Sequence, residues 1–186
     1  KNKKIIFCMA YGAARAVEIS HIFSFLGCKL VIQIGTCGGL QSHLAPGDII
    51  LPDEISCEDG VSEHYLNDTK INANEEWITR SKELLTKRGC NVYVGKHVTF
   101  SSLFAETVEM YKSWHSVGFL SVEMETAATL AAAKKFGVEG LSMIVVWDEL
   151  TAGRRFLDPL NKTELENLHK SNKDVYEVAL ELCLEV

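Results

Sequence analysis

Between Phe119 and Asp148 the sequence changes its hydrophobic period twice. Phe119-Leu120-Ser121-Val122 is a short strand-like run. Ala127 to Phe136 is an alanine-rich helical run closed by Gly137, and Leu141 to Val146 is again a nearly unbroken apolar run. A strand apolar at almost every position must be covered on both faces, and alternating helices are what cover it. The same order opens the chain. Lys4 to Ala10 reads as a buried strand, Ala14 to Leu26 as a helix stopped by Gly27, and Leu30 to Ile34 as the next strand. That β-α-β order predicts a parallel pair joined by a right-handed crossover, hence an α/β fold.

The middle of the chain fits the same class. Asp48 to Cys57 gives two short strands or one bent strand, and Pro52 within it argues for an edge or a bulge. Asp59 to Asn74 is polar and reads as a long surface loop that includes His64. Glu75 to Lys87 is an amphipathic helix ended by Gly89, Cys90 to Phe100 a strand, and Glu106 to Trp114 a helix. A last helix runs from about Thr163, a candidate N-cap, to Leu184. No repeat, linker or low-complexity segment interrupts the 186 residues, so one domain, 1–186, is expected.

Composition excludes several classes of function. The formal charge is −6, and basic residues gather only in short groups such as Lys1-Lys4 and Arg154-Arg155, so a footprint for nucleic acid is missing. No apolar run approaches bilayer length, so no membrane partner is expected, and Lys1-Asn2-Lys3-Lys4 leads into a core-like run rather than a signal peptide. Six cysteines without a CxxC pair or zinc-ligand spacing read as reduced thiols of a cytoplasmic protein, with no metal site.

Three polar clusters close strand-like runs: Gly35-Thr36-Cys37-Gly38-Gly39, Ser121-Val122-Glu123-Met124-Glu125-Thr126, and Trp147-Asp148. Polar groups gathered at strand ends are what an α/β ligand site requires. Read singly, each has a plain alternative. The glutamates suit a helix start, the glycines a tight turn, and Asp148 a strand-end cap.

Taken in order, Gly35 to Leu40, Gly47-Asp48-Ile49, Val122 to Ala127 and Asp148 after an apolar strand resemble the nucleoside phosphorylase family. That family includes purine nucleoside phosphorylases, uridine phosphorylases and methylthioadenosine nucleosidases. The resemblance covers nearly the whole chain. It implies a three-layer α/β/α fold with a central mixed, partly barrel-like sheet. It also implies a nucleoside and phosphate as substrates, with phosphate as co-substrate and no cofactor, and a homo-oligomer, a dimer or a trimer of dimers.

The resemblance further implies roles. Glu125 would accept hydrogen bonds from the ribose hydroxyls, with Met124 as an apolar floor and Glu123 either a further ribose ligand or a helix-start residue. Gly35 and Thr36, with Gln33 nearby, would take the phosphate. Asp148 would protonate the leaving purine, helped by Arg154 or Arg155. Phe104 and Trp147 would bound the base. His64 lies where relatives place nucleoside contacts, although a solvated loop histidine explains it as well.

The sequence also departs from the family. Its N-terminal strand and glycine-rich phosphate loop are expected to be lacking. Gln33 stands where phosphorylases carry an arginine, and a neutral amide replaces a charged fork. Val108 and Met110 fall near the places where uridine phosphorylases carry their uracil-reading Gln and Arg, which argues against uridine. The resulting expectation is phosphorolysis of a purine-type nucleoside. The alternatives are hydrolysis by a nucleosidase, or binding of a nucleoside without turnover.

Overall fold

The computed structural model describes residues 3–186, so the expectation for Lys1 and Asn2 lies outside the described residues. The described residues contain five α-helices: α1 (Ala13–Phe25), α2 (Glu75–Lys87), α3 (Val108–Ser116), α4 (Thr126–Lys135) and α5 (Lys162–Glu185). They surround six strands: β1 (Leu30–Gly39), β2 (Ile49–Glu58), β3 (Lys70–Asn72), β4 (Val92–Phe100), β5 (Ser121–Glu123) and β6 (Glu139–Glu149).

Hydrogen bonding runs β3-β2-β4-β5-β1-β6, and β6 then returns to β2 through Ile49 and Ile50. Strands β2, β4, β5, β1 and β6 thus close into a five-stranded barrel, with β3 attached outside. The mixture is real. β1 is parallel to β6 but antiparallel to β5, while β4 is parallel to both β2 and β5. Helices α2 and α5 cover one side, where Ile78, Leu85, Leu168, Val178 and Leu182 pack on Leu141, Met143 and Val145 of β6. The opposite faces of the same strands pack Cys37, Ile50, Ile144 and Val146 together. Alternation along β6 therefore divides its side chains between two cores. On the other side α1 lies on α4. Ala127, Ala128 and Ala131 to Ala133 are fully buried there, small enough to let that helix approach the sheet closely.

Several expectations need correction. Lys4 to Ala10 forms no strand. Residues 3 to 11 carry no regular structure, and Ile6, Phe7 and Met9 are exposed, Phe7 stacking on Tyr176 of α5 at 5.3 Å between ring centroids. An apolar run can specify burial, but a strand also needs a paired edge, which the run cannot specify by itself. The parallel neighbour of β1 is accordingly β6, from the far end of the chain, rather than an N-terminal strand. The 59–74 segment is less irregular than expected, containing a 3-10 turn at Ser62–His64 and β3. The cap of α5 is Asn161, not Thr163. The Asn161 side chain accepts from the Glu164 amide and the Glu164 side chain from the Asn161 amide, a reciprocal capping box. Pro52 behaves as expected, since the β2–β4 register slips between Pro52 and Ile55.

Candidate active site

Register explains how distant segments meet. Along β1, Thr36 lies opposite Val145 and Gly38 opposite Asp148 of β6, while on its other edge Gly38 lies opposite Val122 of β5. Two and three residues beyond Val122 the chain reaches Met124 and Glu125, where β5 gives way to α4. The three polar clusters are therefore neighbours in the barrel wall. A cavity of about 750 Å³ runs beside them, lined by Gln33, Gly35, Thr36, Met124, Glu125, Trp147 and Asp148 among others. The clusters lie slightly differently from the sequence reading, because Gly35–Gly39 and Asp148 are inside β1 and β6 rather than beyond them.

Glu123 and Glu125 have separate environments. Glu123 is buried, and both its oxygens are taken by the protein. Oε1 accepts from Thr99 Oγ1 (2.8 Å) and pairs with His97 Nε2 (2.9 Å), while Oε2 accepts from the Glu125 amide (2.6 Å). The Thr126 amide donates to both oxygens. These amides open α4 and would otherwise be orphan donors at the positive end of its dipole. Burial alone would raise the Glu123 pKa, but His97 and the two amides hold it below the ordinary value. Of the two roles left open for Glu123, the helix-start one accounts for the Glu125 and Thr126 amides, while His97 and Thr99 occupy Oε1 from β4. His97, whose Nδ1 meets Ser121 Oγ at 2.8 Å, was not singled out in the sequence. It lies 26 positions from the glutamate that it serves.

Glu125 borders the same cavity but is less fully engaged by the protein. Its Oε1 accepts from the Gly12 amide at 2.5 Å, and Gly12 reaches that position with a positive φ of 81°, a conformation that glycine adopts without strain. Burial and the adjacent Glu123 charge push the Glu125 carboxyl up to about 7. Asp148 is 6% exposed, and no side chain donates to it. Burial first and the charge of Glu106 second raise it to about 7. A carboxyl held there keeps a proton that it can give near neutral pH.

The remaining predicted residues divide. Trp147 forms a cavity wall with Phe156, the rings 5.5 Å apart and the indole N–H donating to the Phe156 carbonyl. Gln33 lines the cavity, but its Oε1 accepts from Thr126 Oγ1 (3.2 Å) and from Ser142 Oγ. Phe104 is a correction: it is 80% exposed and outside the cavity. It sits in a 3-10 turn, Leu103–Ala105, where positions i and i+3 share a face, so Leu103 and Glu106 reach the cavity and Phe104 does not. Arg154 is another. Its guanidinium is spent on Glu164 (2.6 and 2.9 Å) and Glu149 (2.5 Å), tying the end of β6 to the start of α5, and it lines no part of the cavity. Arg155 is the arginine whose charge reaches Glu106 and Tyr111. His64 is exposed and outside the cavity. Among the described residues no group of His, Cys, Asp and Glu could hold a metal ion.

The model of the phosphorylase superfamily matches residues 9–184. The chain belongs to that superfamily. Among curated proteins it is similar to the DeoD-type purine nucleoside phosphorylase of Alkaliphilus metalliredigens. The two are 28% identical over 169 residues, covering 90% of this chain and 70% of that protein. The corresponding protein of Caldanaerobacter subterraneus is 27% identical over the same share of each. Among solved structures, uridine phosphorylase from Vibrio fischeri superposes with a TM-score of 0.85 at 18% identity, over 95% of this chain and 72% of the other. A P. knowlesi homologue of P. falciparum PNP gives 0.78 at 20% identity, over 93% and 70%. The barrel and its flanking helices are thus the nucleoside phosphorylase fold, as the motifs implied. No helix among the described residues is long and apolar enough to cross a membrane.

Proposed function

We propose that this chain cleaves the N-glycosidic bond of a purine-type nucleoside with phosphate, releasing the free base and ribose 1-phosphate. The observation that carries this reading is a single cavity bordered by Thr36, Met124, Glu125 and Asp148, in which Asp148 holds a proton up to about 7. The ribose rests on Met124, and its 2′- and 3′-hydroxyls donate to Glu125, which accepts from both when ionised. A phosphate oxygen, held near Gly35 and Thr36, bonds to C1′ as the bond from C1′ to the base nitrogen breaks. The departing electron pair moves into the purine, and Asp148 supplies the proton at N7 that makes the base a neutral leaving group. Trp147 and Phe156 form the apolar wall for the base. No cofactor enters; phosphate is the co-substrate.

Hydrolysis is the second reading, and Gln33 is what favours it. Its carboxamide oxygen is engaged by Thr126 and Ser142, and an amide gives phosphate no charged fork. A product assay with and without phosphate separates the readings. Ribose 1-phosphate formed only with phosphate supports phosphorolysis, whereas free ribose formed equally without it selects hydrolysis. No product, with a raised melting temperature in the presence of nucleoside, selects a binding protein.

Assembly and location belong to the same reading. Ile22, Phe25 and Leu26 expose apolar surface around the C-terminal end of α1, which suits a contact between copies in a homo-oligomer. Light scattering that finds a fully active monomer refutes this. The six free thiols suit the reducing cytoplasm.

A further inference from the structure

Glu106 is a carboxylate without a role in the reaction so far. It follows the Leu103–Ala105 turn and lies just ahead of α3, 7% exposed, on the same cavity as Asp148. Tyr111, in the first turn of α3, donates its hydroxyl to Oε2 at 3.0 Å. The other oxygen has no hydrogen-bond partner among the described residues. Asp148 accepts from its own backbone amide but from no side chain among the described residues. Two buried carboxyls therefore border one cavity, each with hydrogen-bonding capacity that the protein leaves unused.

Two such groups facing one low-dielectric space oppose each other's ionisation, which favours a proton on one of them near neutral pH. Burial raises Glu106 to about 7, and its charge in turn helps to raise Asp148. The other facing groups do not cancel this. Tyr111 and Arg155 favour the ionised form of Glu106, Arg154 favours that of Asp148, and Asp158 opposes it. With the proton on Asp148, the pair presents one O–H donor and one carboxylate acceptor.

Resting on the reading of this cavity as a purine-nucleoside site, we propose that Glu106 is a base-recognition residue that, beside Asp148, selects 6-aminopurine nucleosides over 6-oxopurine ones. The N7/C6 edge of a 6-aminopurine offers an acceptor at N7 and a donor at the exocyclic amine. That edge is the complement of a protonated Asp148 and an ionised Glu106. A 6-oxopurine offers two acceptors, so its O6 faces the Glu106 carboxylate. Either the contact is repulsive or a second proton must be taken up. A site built around one hydrogen-bond pattern discriminates far more strongly than an apolar pocket does, because the mismatched group is left buried and unpaired.

The test is kcat and KM for adenosine and for inosine, each with phosphate, in the wild-type chain, Glu106→Gln and Tyr111→Phe. Calorimetric binding of both nucleosides gives a readout independent of turnover. The wild-type chain is expected to favour adenosine in kcat/KM by about tenfold or more. Glu106→Gln, whose amide can turn an N–H toward O6, should bring the ratio near unity through lost adenosine and gained inosine activity. Tyr111→Phe releases the Glu106 carboxylate and should narrow the ratio in the same direction, which keeps the test intact if the Gln variant does not fold. Phosphorolysis with equal use of the two nucleosides, or a ratio that neither variant moves, overturns the role of Glu106 and leaves the enzyme assignment standing. Neither cleavage nor binding of either nucleoside overturns both.

Discussion

Replacing Asp148 by Asn tests the site through stability as well as through rate. The Asp148 carboxyl titrates near 3.8 when unperturbed and is raised to about 7 in the folded chain. Each unit of that difference corresponds to about 1.4 kcal/mol, so ionising Asp148 in the fold costs about 4 kcal/mol in all. The sign follows from proton linkage. With the folded value the higher one, the stabilising contribution of the neutral acid is full below about pH 4 and is lost as pH rises through about 7. Asn mimics the neutral acid at every pH. Urea unfolding of the two proteins should therefore nearly coincide near pH 4 and diverge toward pH 8, with the variant the more stable by up to about 4 kcal/mol. Comparing the two at each pH cancels groups that they share. In the same preparations, turnover of purine nucleosides should fall by roughly 10²–10⁴-fold, the range for loss of a general acid. A stability difference that does not change with pH, or an Asn variant that is the weaker at pH 8, refutes the burial argument. Unchanged turnover refutes the proton donor.

Glu125→Gln keeps the shape of the proposed ribose site but removes its ionisable acceptor; KM for nucleoside should rise by about tenfold or more above pH 7, as charge-assisted hydrogen bonds are worth about 1.5–3 kcal/mol. His97→Phe removes the partner of Glu123 while filling the space, and unfolding in urea should show a loss of about 3–5 kcal/mol, the range for breaking a buried pair. Asn161→Ala dissolves the capping box of α5 and should cost about 1 kcal/mol, seen as a fall of about 2–4 °C in melting temperature.

What the sequence disclosed depended on whether a feature was local. The strands around Leu30–Ile34 and Leu141–Val146, the α2 limits and the slip at Pro52 follow from runs, periods and one imino ring, and the structure shows each of them. The gathering of Thr36, Met124, Glu125 and Asp148 was foreseeable only from the ordered set of motifs, because it is the β1–β6 and β1–β5 registers that bring them together. Pairings across long separations left less trace. Nothing beside His97 announces Glu123, and Glu106 reads as an ordinary acidic residue ahead of a helix. Phe104 and Leu103 are adjacent in sequence, and only the tight turn decides which of them reaches the cavity. The Lys4–Ala10 run failed for the converse reason: hydrophobicity was legible there, but a pairing partner was not. Asn161 and Thr163 each have a glutamate three residues on, Glu164 and Glu166, so spacing alone does not choose between them, and only the structure shows the reciprocal cap at Asn161.

Gly38 ties the two halves of the cavity together by what it lacks. A methyl group added there would fall 2.5 Å from Leu150 Cδ1 and 3.2 Å from Asp148 Oδ1. Leu150 is buried in one cluster with Leu40, Val98, Tyr111 and Trp114. Any side chain at 38 would thus press on Leu150, which shares a cluster with Tyr111 of α3, and on the Asp148 carboxyl. A single missing carbon in the barrel wall leaves room for Leu150 and the Asp148 carboxyl to close against the same stretch of β1.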